Sequence, residues 1–341
     1  YIIPIFVPNL GWPMEWKLCS QEKKTEKQTN VTANDVKNTI EYYLKNFKDE
    51  NKYVEVAFFG GSFTGIDINI QKELLEAANE YINKGLVGSI RISTRPDYIN
   101  KDILKMLKKY HVKTIELGVQ SSNDYILAKS KRGHTFEDVI KASKMIRLRG
   151  FRLGHQMMVG MPESTELDEI NTAKDLIKLK PKMVRIYPVL VIKGTELAKE
   201  YEDGEYVPLT IEQAVERCKE IIYLFRKKNI DVIRVGLQNT DEITDPGNKN
   251  SEVLAGPYHP AFRQLVEDSM WYASIAEKIK AINMKVKEVE IIVNPEAVNN
   301  VIGHKKENVL RLKEMYDVDI KIKPDEDMKS GKFEINVLET Y

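Results

Sequence analysis

An α/β fold is what the sequence predicts: a partial (β/α) barrel followed by a small α+β unit. Three observations point to it. From residue 1 to about 236, short β-branched runs alternate with longer segments of helical period, the pattern of parallel strands joined by crossover helices. Turn chemistry then interrupts that rhythm, at Asp245-Pro246-Gly247-Asn248 and again at Gly256-Pro257-Tyr258-His259-Pro260. Beyond residue 285 a compact strand-helix-helix-strand pattern begins.

The strands are expected at 2–7, 53–59, 88–94, 112–119, 153–159, 183–188 and 231–236. Between them, 33–48 (with Thr32 as N-cap), 67–84, 100–110, 135–149, 166–179 and 210–229 read as amphipathic helices. Six or seven βα units suit an open or closed barrel better than a sandwich. The expected organisation is a barrel over 1–240, an extension with a linker helix over 241–284, and a small domain over 285–341. In that last unit a strand at 286–293 leads through Pro295 and a Gly303 turn to a helix at 305–316, then strands at 318–323 and 333–338.

Composition excludes several classes. The 341 residues carry 52 Lys+Arg against 51 Asp+Glu, a net charge of +1, so no global polyelectrolyte character exists. With 42% apolar residues the chain has enough material for one large core and a small satellite. No stretch approaches the roughly 18 apolar residues of a membrane span, and a cytoplasmic protein is expected. The two cysteines, Cys19 and Cys218, exclude a disulfide scaffold. Neither a P-loop nor a Gly-x-Ser-x-Gly elbow occurs, which argues against NTP and serine hydrolysis.

In a barrel of this kind the residues just after each strand carry the chemistry. The second strand runs into Gly60-Gly61-Ser62-Phe63-Thr64-Gly65, where backbone N–H groups can approach a polar ligand without a Cβ in the way. The next three strands end in Ser93-Thr94-Arg95-Pro96-Asp97, Gly118-Val119-Gln120-Ser121-Ser122 and Val159-Gly160-Met161-Pro162. Each alone reads as a solvated loop; four in register favour a ligand pocket. His155 and Tyr187 are placed near strand ends facing that pocket, Tyr187 as a hydrogen-atom relay or a positioning group, although a buried, satisfied tyrosine is the blander role.

These motifs, with Pro8 to Cys19, Glu116 to Ser121, Arg132-Gly133-His134-Thr135, Arg185-Ile186-Tyr187-Pro188 and Gly194-Thr195-Glu196-Leu197, resemble the radical S-adenosylmethionine (SAM) superfamily. Within it they look closest to the branch of the catalytic subunit of Elongator, the tRNA wobble-uridine modifying complex, and its shorter bacterial relatives. The resemblance covers residues 1 to about 240 and continues through Gly256 to Phe262. It implies a partial TIM-like barrel of radical SAM type. It also implies that the Gly60-Gly61-Ser62 turn holds the amino group of the SAM methionine. Thr94, Gln120 and Ser121 would line the sugar and methionine side, and the Val159-Gly160 backbone would meet the adenine. In such enzymes, electron transfer into a 4Fe-4S cluster splits SAM into methionine and a 5′-deoxyadenosyl radical.

The family's three cluster cysteines are spaced Cys-x3-Cys-x2-Cys; here that spacing holds Trp12, Trp16 and Cys19. An indole N–H is a donor only and cannot replace a thiolate on iron. Cys218, about 200 residues on, reads as a core or surface residue. Two readings stay open: a chain altered at two ligand positions, or a paralogue that has lost its cluster. The retained pocket motifs favour the first.

Two features point to RNA. Residues 129–152 hold eight basic side chains (Lys129, Lys131, Arg132, Lys141, Lys144, Arg147, Arg149, Arg152) against Glu137 and Asp138. They form a candidate phosphate-contacting face, weighed evenly against a solvated helix. The run Val301-Ile302-Gly303-His304-Lys305-Lys306-Glu307 resembles the KH signature, whose Gly-x-x-Gly loop clamps nucleotide backbones, with Lys306 where the second glycine would stand. The small domain holds ten basic and twelve acidic residues, so it is no generic polyanion binder.

The expected function is therefore radical-based modification of a base in tRNA or other structured RNA, with SAM and a 4Fe-4S cluster as the family cofactors and the cluster deficient in this sequence. The expected partners are RNA (tRNA or rRNA) and an electron donor, with neither membrane nor DNA. Two alternatives are a non-catalytic RNA-binding or ribosome-associated protein that keeps the barrel, and a radical SAM enzyme acting on a small molecule such as a tetrapyrrole intermediate. Acetyl transfer is not implied, because the 57 residues from Lys285 on are too few for an acetyltransferase domain.

Overall fold

A computed structural model describes residues 1–7, 31–48, 53–238, 243–282 and 284–341. Trp12, Trp16 and Cys19 lie outside the described residues. The chain divides into two compact units, residues 1–210 with 221–258, and residues 211–220 with 259–341.

The first unit is built on seven parallel strands: β1 (Ile2–Val7), β2 (Glu55–Gly60), β3 (Ser89–Thr94), β4 (Val112–Gln120), β5 (Arg152–Val159), β6 (Met183–Pro188) and β8 (Asp231–Val235). They stand side by side in chain order, and every neighbouring pair is parallel. Right-handed crossovers that never reverse direction curl such a sheet into a partial (β/α) barrel and bring all the carboxyl ends to one rim. The crossovers are α1 (Ala33–Asn46), α2 (Ile68–Asn83), α3 (Lys101–Lys109), the pair α4 (Asp124–Lys129) and α5 (Phe136–Leu148), α6 (Glu166–Lys178), and α7 (Glu196–Glu202) followed by α8 (Ile211–Arg226). The short strands β7 (Val191–Ile192) and β9 (Val253–Ala255) pair antiparallel beside them.

Each expected barrel strand lies within two residues of its observed bounds, because sequence period and caps agree. Thr32 caps α1: its hydroxyl accepts from the Asp35 N–H while the Asp35 carboxylate accepts from the Thr32 N–H at 2.8 Å. Thr135 with Asp138 and Thr165 with Asp168 repeat this box on α5 and α6. Strand side chains alternate between the two faces of the sheet. Ile90, Ile92, Ile115, Leu117, Leu153, Met157 and Ile186 are buried; on the same strands Ser93, Gly118, Gln156, Met158, Arg185 and Tyr187 face the barrel interior.

The second unit holds α9 (Phe262–Lys280), β10 (Val286–Val293), α10 (Val298–Ile302), α11 (Glu307–Tyr316), β11 (Asp319–Pro324) and β12 (Phe333–Thr340). Its sheet has the order β11-β10-β12, with β10 parallel to β11 and antiparallel to β12. Its core joins Ile275 and Ile279 of α9 to Val289, Ile291 and Val293 of β10, Val301 of α10 and Leu312 of α11. α9 is thus part of this core, and the compact unit is longer than residues 285–341. Among the described residues no helix is long and apolar enough to cross a membrane.

Candidate functional site

A cavity of about 700 Å³ opens at the carboxyl ends of the strands of the first unit, a size within the range of small-molecule and cofactor sites. Its first wall is the β2 turn. Gly60 has φ +100°, and a Cβ there would come within 2.7 Å of the Val7 carbonyl oxygen, so the turn accepts glycine alone. The Gly61 N–H donates to the same carbonyl at 3.0 Å, which ties the turn to β1. Beyond it the Ser62 and Thr94 hydroxyls lie 2.9 Å apart, those of Thr64 and Thr94 2.5 Å apart, and the Arg95 N–H donates to Ser62 at 3.0 Å. Small uncharged hydroxyls at two adjacent strand ends are thereby locked together.

The β4 end is strained. The register between β4 and β5 shifts between Gly118 and Gln120, and Gln120 adopts φ +72°. A bulge and a left-handed non-glycine residue beside a cavity re-aim a side chain at a cost of order 1 to 3 kcal/mol. The Gln120 side-chain oxygen is buried with no hydrogen-bond partner among the described residues, a polar group held ready for a donor that these residues do not supply.

Below this rim the barrel interior is closed by a network that the sequence reading missed. Arg91 binds Glu55 at 2.6 Å and Glu116 at 2.6 Å, and Arg185 binds Glu116 at 2.5 Å and 3.1 Å. Gln156 donates to Glu116 at 3.2 Å and to Ser93 at 3.3 Å; Ser89 and Thr114 donate to Glu55 at 3.1 Å and 3.3 Å. Burial raises the Glu116 pKa, but the Arg185 and Arg91 guanidiniums outweigh it and hold the carboxyl below its ordinary range. Gly154 makes room, since a Cβ there would meet Glu116 Cγ at 2.9 Å. The signal was present: Glu55, Arg91, Glu116 and Arg185 occupy the interior-facing phase of otherwise apolar strands.

Tyr187 lines the cavity above Arg185. Burial pushes its pKa up against the pull of Arg185 and Arg234, so it is a protonated hydrogen-bond donor at neutral pH. His155 does not face the cavity. Its Nε2 lies 2.9 Å from the Ser143 hydroxyl of α5, because odd-numbered positions of β5 point toward the helices. Burial lowers its pKa to about 3.

The cavity gathers Gly60, Gly61, Ser62, Thr94, Gln120 and Tyr187 of the expected site. Ser121, Val159 and Gly160 fall outside its lining. The Ser121 hydroxyl accepts from the Asn123 N–H at 3.1 Å, while Gly160 donates its N–H to Glu169 at 2.6 Å and accepts from the Tyr206 hydroxyl at 2.7 Å. Val159 offers its carbonyl to the Val189 N–H at 2.9 Å. The expected basic face divides too. Arg132 is 1% exposed and lines the cavity, donating to the Gly118 carbonyl at 3.1 Å. Lys131 pairs with Glu196 at 2.5 Å, Arg147 is exposed and reaches the Leu179 carbonyl at 3.3 Å, and Arg149 closes the end of α5.

In the second unit, Gly303, Lys305 and Lys306 have φ of +78°, +51° and +67°. The tight loop therefore forms with lysine where a second glycine was missing. Buried Asp268 of α9 holds it: its carboxylate accepts from the His304 N–H at 2.9 Å and from Asn300 at 2.9 Å, and its carbonyl accepts from Asn308 at 2.9 Å.

Residues 17–176 match the model of the radical SAM superfamily, and residues 181–272 match that of the Radical_SAM C-terminal domain. A tRNA uridine(34) acetyltransferase of Methanocaldococcus infernus is 37% identical over 186 residues, covering 48% of this chain and 34% of its own. An uncharacterized protein of Methanocaldococcus jannaschii is 33% identical over 216 residues, 62% of this chain and 63% of its own. The solved structure of the archaeal Methanocaldococcus infernus Elp3 with an N-terminal deletion is 25% identical, with a TM-score of 0.61 over 84% of this chain and 66% of that one. The chain thus spans about a third of the length of the acetyltransferase that it matches.

Proposed function

Because the chain carries a radical SAM domain over residues 17–176 and a Radical_SAM C-terminal domain over 181–272, we propose that it binds SAM in the barrel cavity and acts on a base of tRNA or another structured RNA. The observation that carries this reading is the rim itself: the Gly60 turn, the Ser62–Thr94 hydroxyl pair and the partnerless Gln120 oxygen converge on one 700 Å³ space. SAM is a zwitterionic nucleoside with amino, carboxylate and ribose hydroxyl groups, and it fits that donor set. The Gly60–Gly61 turn lines the methionine end with the Gly61 N–H tied to Val7, and Thr94 and Gln120 meet hydroxyl and amino groups. Ser121, Val159 and Gly160 serve as supports that fix the strand ends. Protonated Tyr187 and the paired Arg185 would orient what lies opposite the bound SAM.

The 4Fe-4S cluster does not fit the residues present. Its three ligand positions hold Trp12, Trp16 and Cys19, and the other cysteine, Cys218, is buried on α8. A single thiolate and two indoles do not make a cluster site, so no step is assigned through it in this sequence. RNA contact is assigned to the Gly303–Lys306 loop, where Lys305 and Lys306 stand on a backbone braced by Asp268, and to Arg147 and Arg149 of the first unit. The relatives named for tRNA uridine(34) support a tRNA substrate.

Calorimetric titration of the chain with SAM, paired with tRNA filter binding with and without SAM, tests the reading. Micromolar SAM binding that Gly60→Ala abolishes supports it. RNA binding with no SAM binding favours the scaffold alternative. Anaerobic reconstitution with iron and sulfide beside the Trp12→Cys, Trp16→Cys double variant tests the cluster assignment; about four irons per chain are expected in the double variant alone.

A further inference from the structure

The cavity lining carries four guanidiniums: Arg95 and Arg132 on the β2–β4 side, among glycines, hydroxyls and an amide, and Arg185 and Arg234 with Tyr187 on β6 and β8. Arg95 forks onto Asp97 at 2.9 Å and 2.8 Å, and Arg132 donates to the Gly118 carbonyl. Among the described lining residues there is no carboxylate. The Arg185 charge is consumed by Glu116 below it. Arg234 is placed otherwise. It is half-buried on β8, its Nε donates to the Gly236 carbonyl at 3.2 Å, and among the described residues no carboxylate pairs with it.

A guanidinium carries five N–H donors in a planar fork, and one backbone carbonyl uses one of them. Holding such a cation half out of water without a counter-ion is costly. Among the described residues nothing supplies that counter-ion, and an anion arriving with a ligand would. Tyr187 stands close enough to Arg234 for the guanidinium to act on its pKa, and its hydroxyl stays a donor. Leu237 and Gln238, which also line this wall, add an exposed apolar surface and an amide next to the fork.

We propose that Arg234, with the Tyr187 hydroxyl, anchors a phosphate of the nucleotide whose base enters the cavity. The wall at β6 and β8 is then the substrate wall, opposite the cofactor wall at β2–β4. The inference rests on the reading of the cavity as a site for SAM and an RNA base, and a phosphate is chosen over a carboxylate because an RNA substrate brings one with every nucleotide. A bidentate fork on a phosphate gives orientation as well as affinity.

The test is calorimetric titration, at low ionic strength, of the chain as it stands and of Arg234→Gln, Arg234→Lys and the exposed control Lys101→Gln with uridine 5′-monophosphate, uridine, inorganic phosphate and SAM. The monophosphate should bind the parent chain and Lys101→Gln alike, uridine should bind at least about tenfold more weakly, and Arg234→Gln should lose at least about tenfold for the monophosphate alone. Arg234→Lys should fall between, because it keeps the charge and loses the fork. Equal binding of uridine and its monophosphate, or a monophosphate affinity unmoved by Arg234→Gln, overturns the proposal. Inorganic phosphate binding as tightly as the monophosphate also overturns it, in favour of a free-phosphate site. SAM separates the two readings. SAM binding with an Arg234-independent monophosphate sinks the anchor and leaves the cofactor site standing; an Arg234-dependent monophosphate without SAM binding does the reverse.

Discussion

The floor and the rim of the barrel use similar polar groups to opposite ends. On the floor, Glu55, Arg91, Glu116 and Arg185 form two carboxylate and two guanidinium charges that cancel, each bound to its neighbours at 2.5 to 3.1 Å. At the rim, among the described residues, the Gln120 oxygen is partnerless and Arg234 has one carbonyl for its fork. A buried group that is fully paired serves the fold, whereas one left over in a cavity serves a ligand. The two regions should therefore answer mutation differently: floor variants should lose stability and rim variants should lose binding.

The largest effect is expected at Glu116. Glu116→Gln removes the carboxylate shared by Arg91 and Arg185, leaving Arg185 without a counter-charge and Arg91 with Glu55 alone. Breaking a buried pair in this way costs about 3 to 5 kcal/mol, to be read from the urea midpoint at neutral pH. A loss under about 1 kcal/mol would mean that the network is wet and that the contrast between floor and rim is unfounded.

Acid should also act on the fold before the rim. Burial lowers the pKa of His155 to about 3; burial, then Arg132, lowers that of His134 to about 4. The unfolded chain takes up these protons near pH 6.5 and the folded chain does not. Above pH 6.5 neither imidazole affects stability, and as pH falls from 6.5 toward 4 the fold loses up to about 1.4 kcal/mol per pH unit for each. Urea midpoints from pH 7.5 to 4.5 should fall steeply, and more shallowly in His155→Gln. Parallel profiles for the two proteins would show that His155 accepts its proton in the folded state.

Gly60→Ala couples the two regions. The new Cβ meets the Val7 carbonyl at 2.7 Å in a backbone of φ +100°, a strain of about 1 to 3 kcal/mol. The same shift moves the turn that faces the cavity, so the midpoint and SAM affinity should fall together. Retained SAM affinity in a destabilised variant would detach the turn from the site.

Most of the barrel was legible because local and global signals agree along it. Strand period, Thr-x-x-Asp caps at Thr32, Thr135 and Thr165, and glycine turns all mark the same boundaries. The short elements α4, α7, β7 and β9 were not read, since two to seven residues carry too little period to stand out. At the site, the strand-end motifs located the rim, but the sequence does not tell which neighbours a backbone already serves. Gly160 looked open and is occupied on both sides by Glu169 and Tyr206. Arg132 looked like surface charge and is buried, because the α4–α5 connection returns it to the Gly118 carbonyl. The floor was missed because its four partners lie 25 to 69 residues apart and meet only when the sheet curls.

The smallest effect, and the one with opposite signs in the two measurements, is expected at Gln120. Its φ of +72° is strained for glutamine and easy for glycine. Its side-chain oxygen has no partner to lose. Gln120→Gly should relieve left-handed strain and remove a buried unsatisfied group, against a somewhat larger entropy cost of ordering glycine, for a net gain of about 0.5 to 1 kcal/mol in the urea midpoint. If the strain is held for a ligand, SAM affinity should fall at least about fivefold in the same variant, since a hydrogen bond of about 1 kcal/mol is withdrawn from the bound state alone. A Gln120→Gly protein that is more stable and binds SAM unchanged would leave the rim strain without a function. One that is less stable would place Gln120 with the floor, as a residue the fold itself requires.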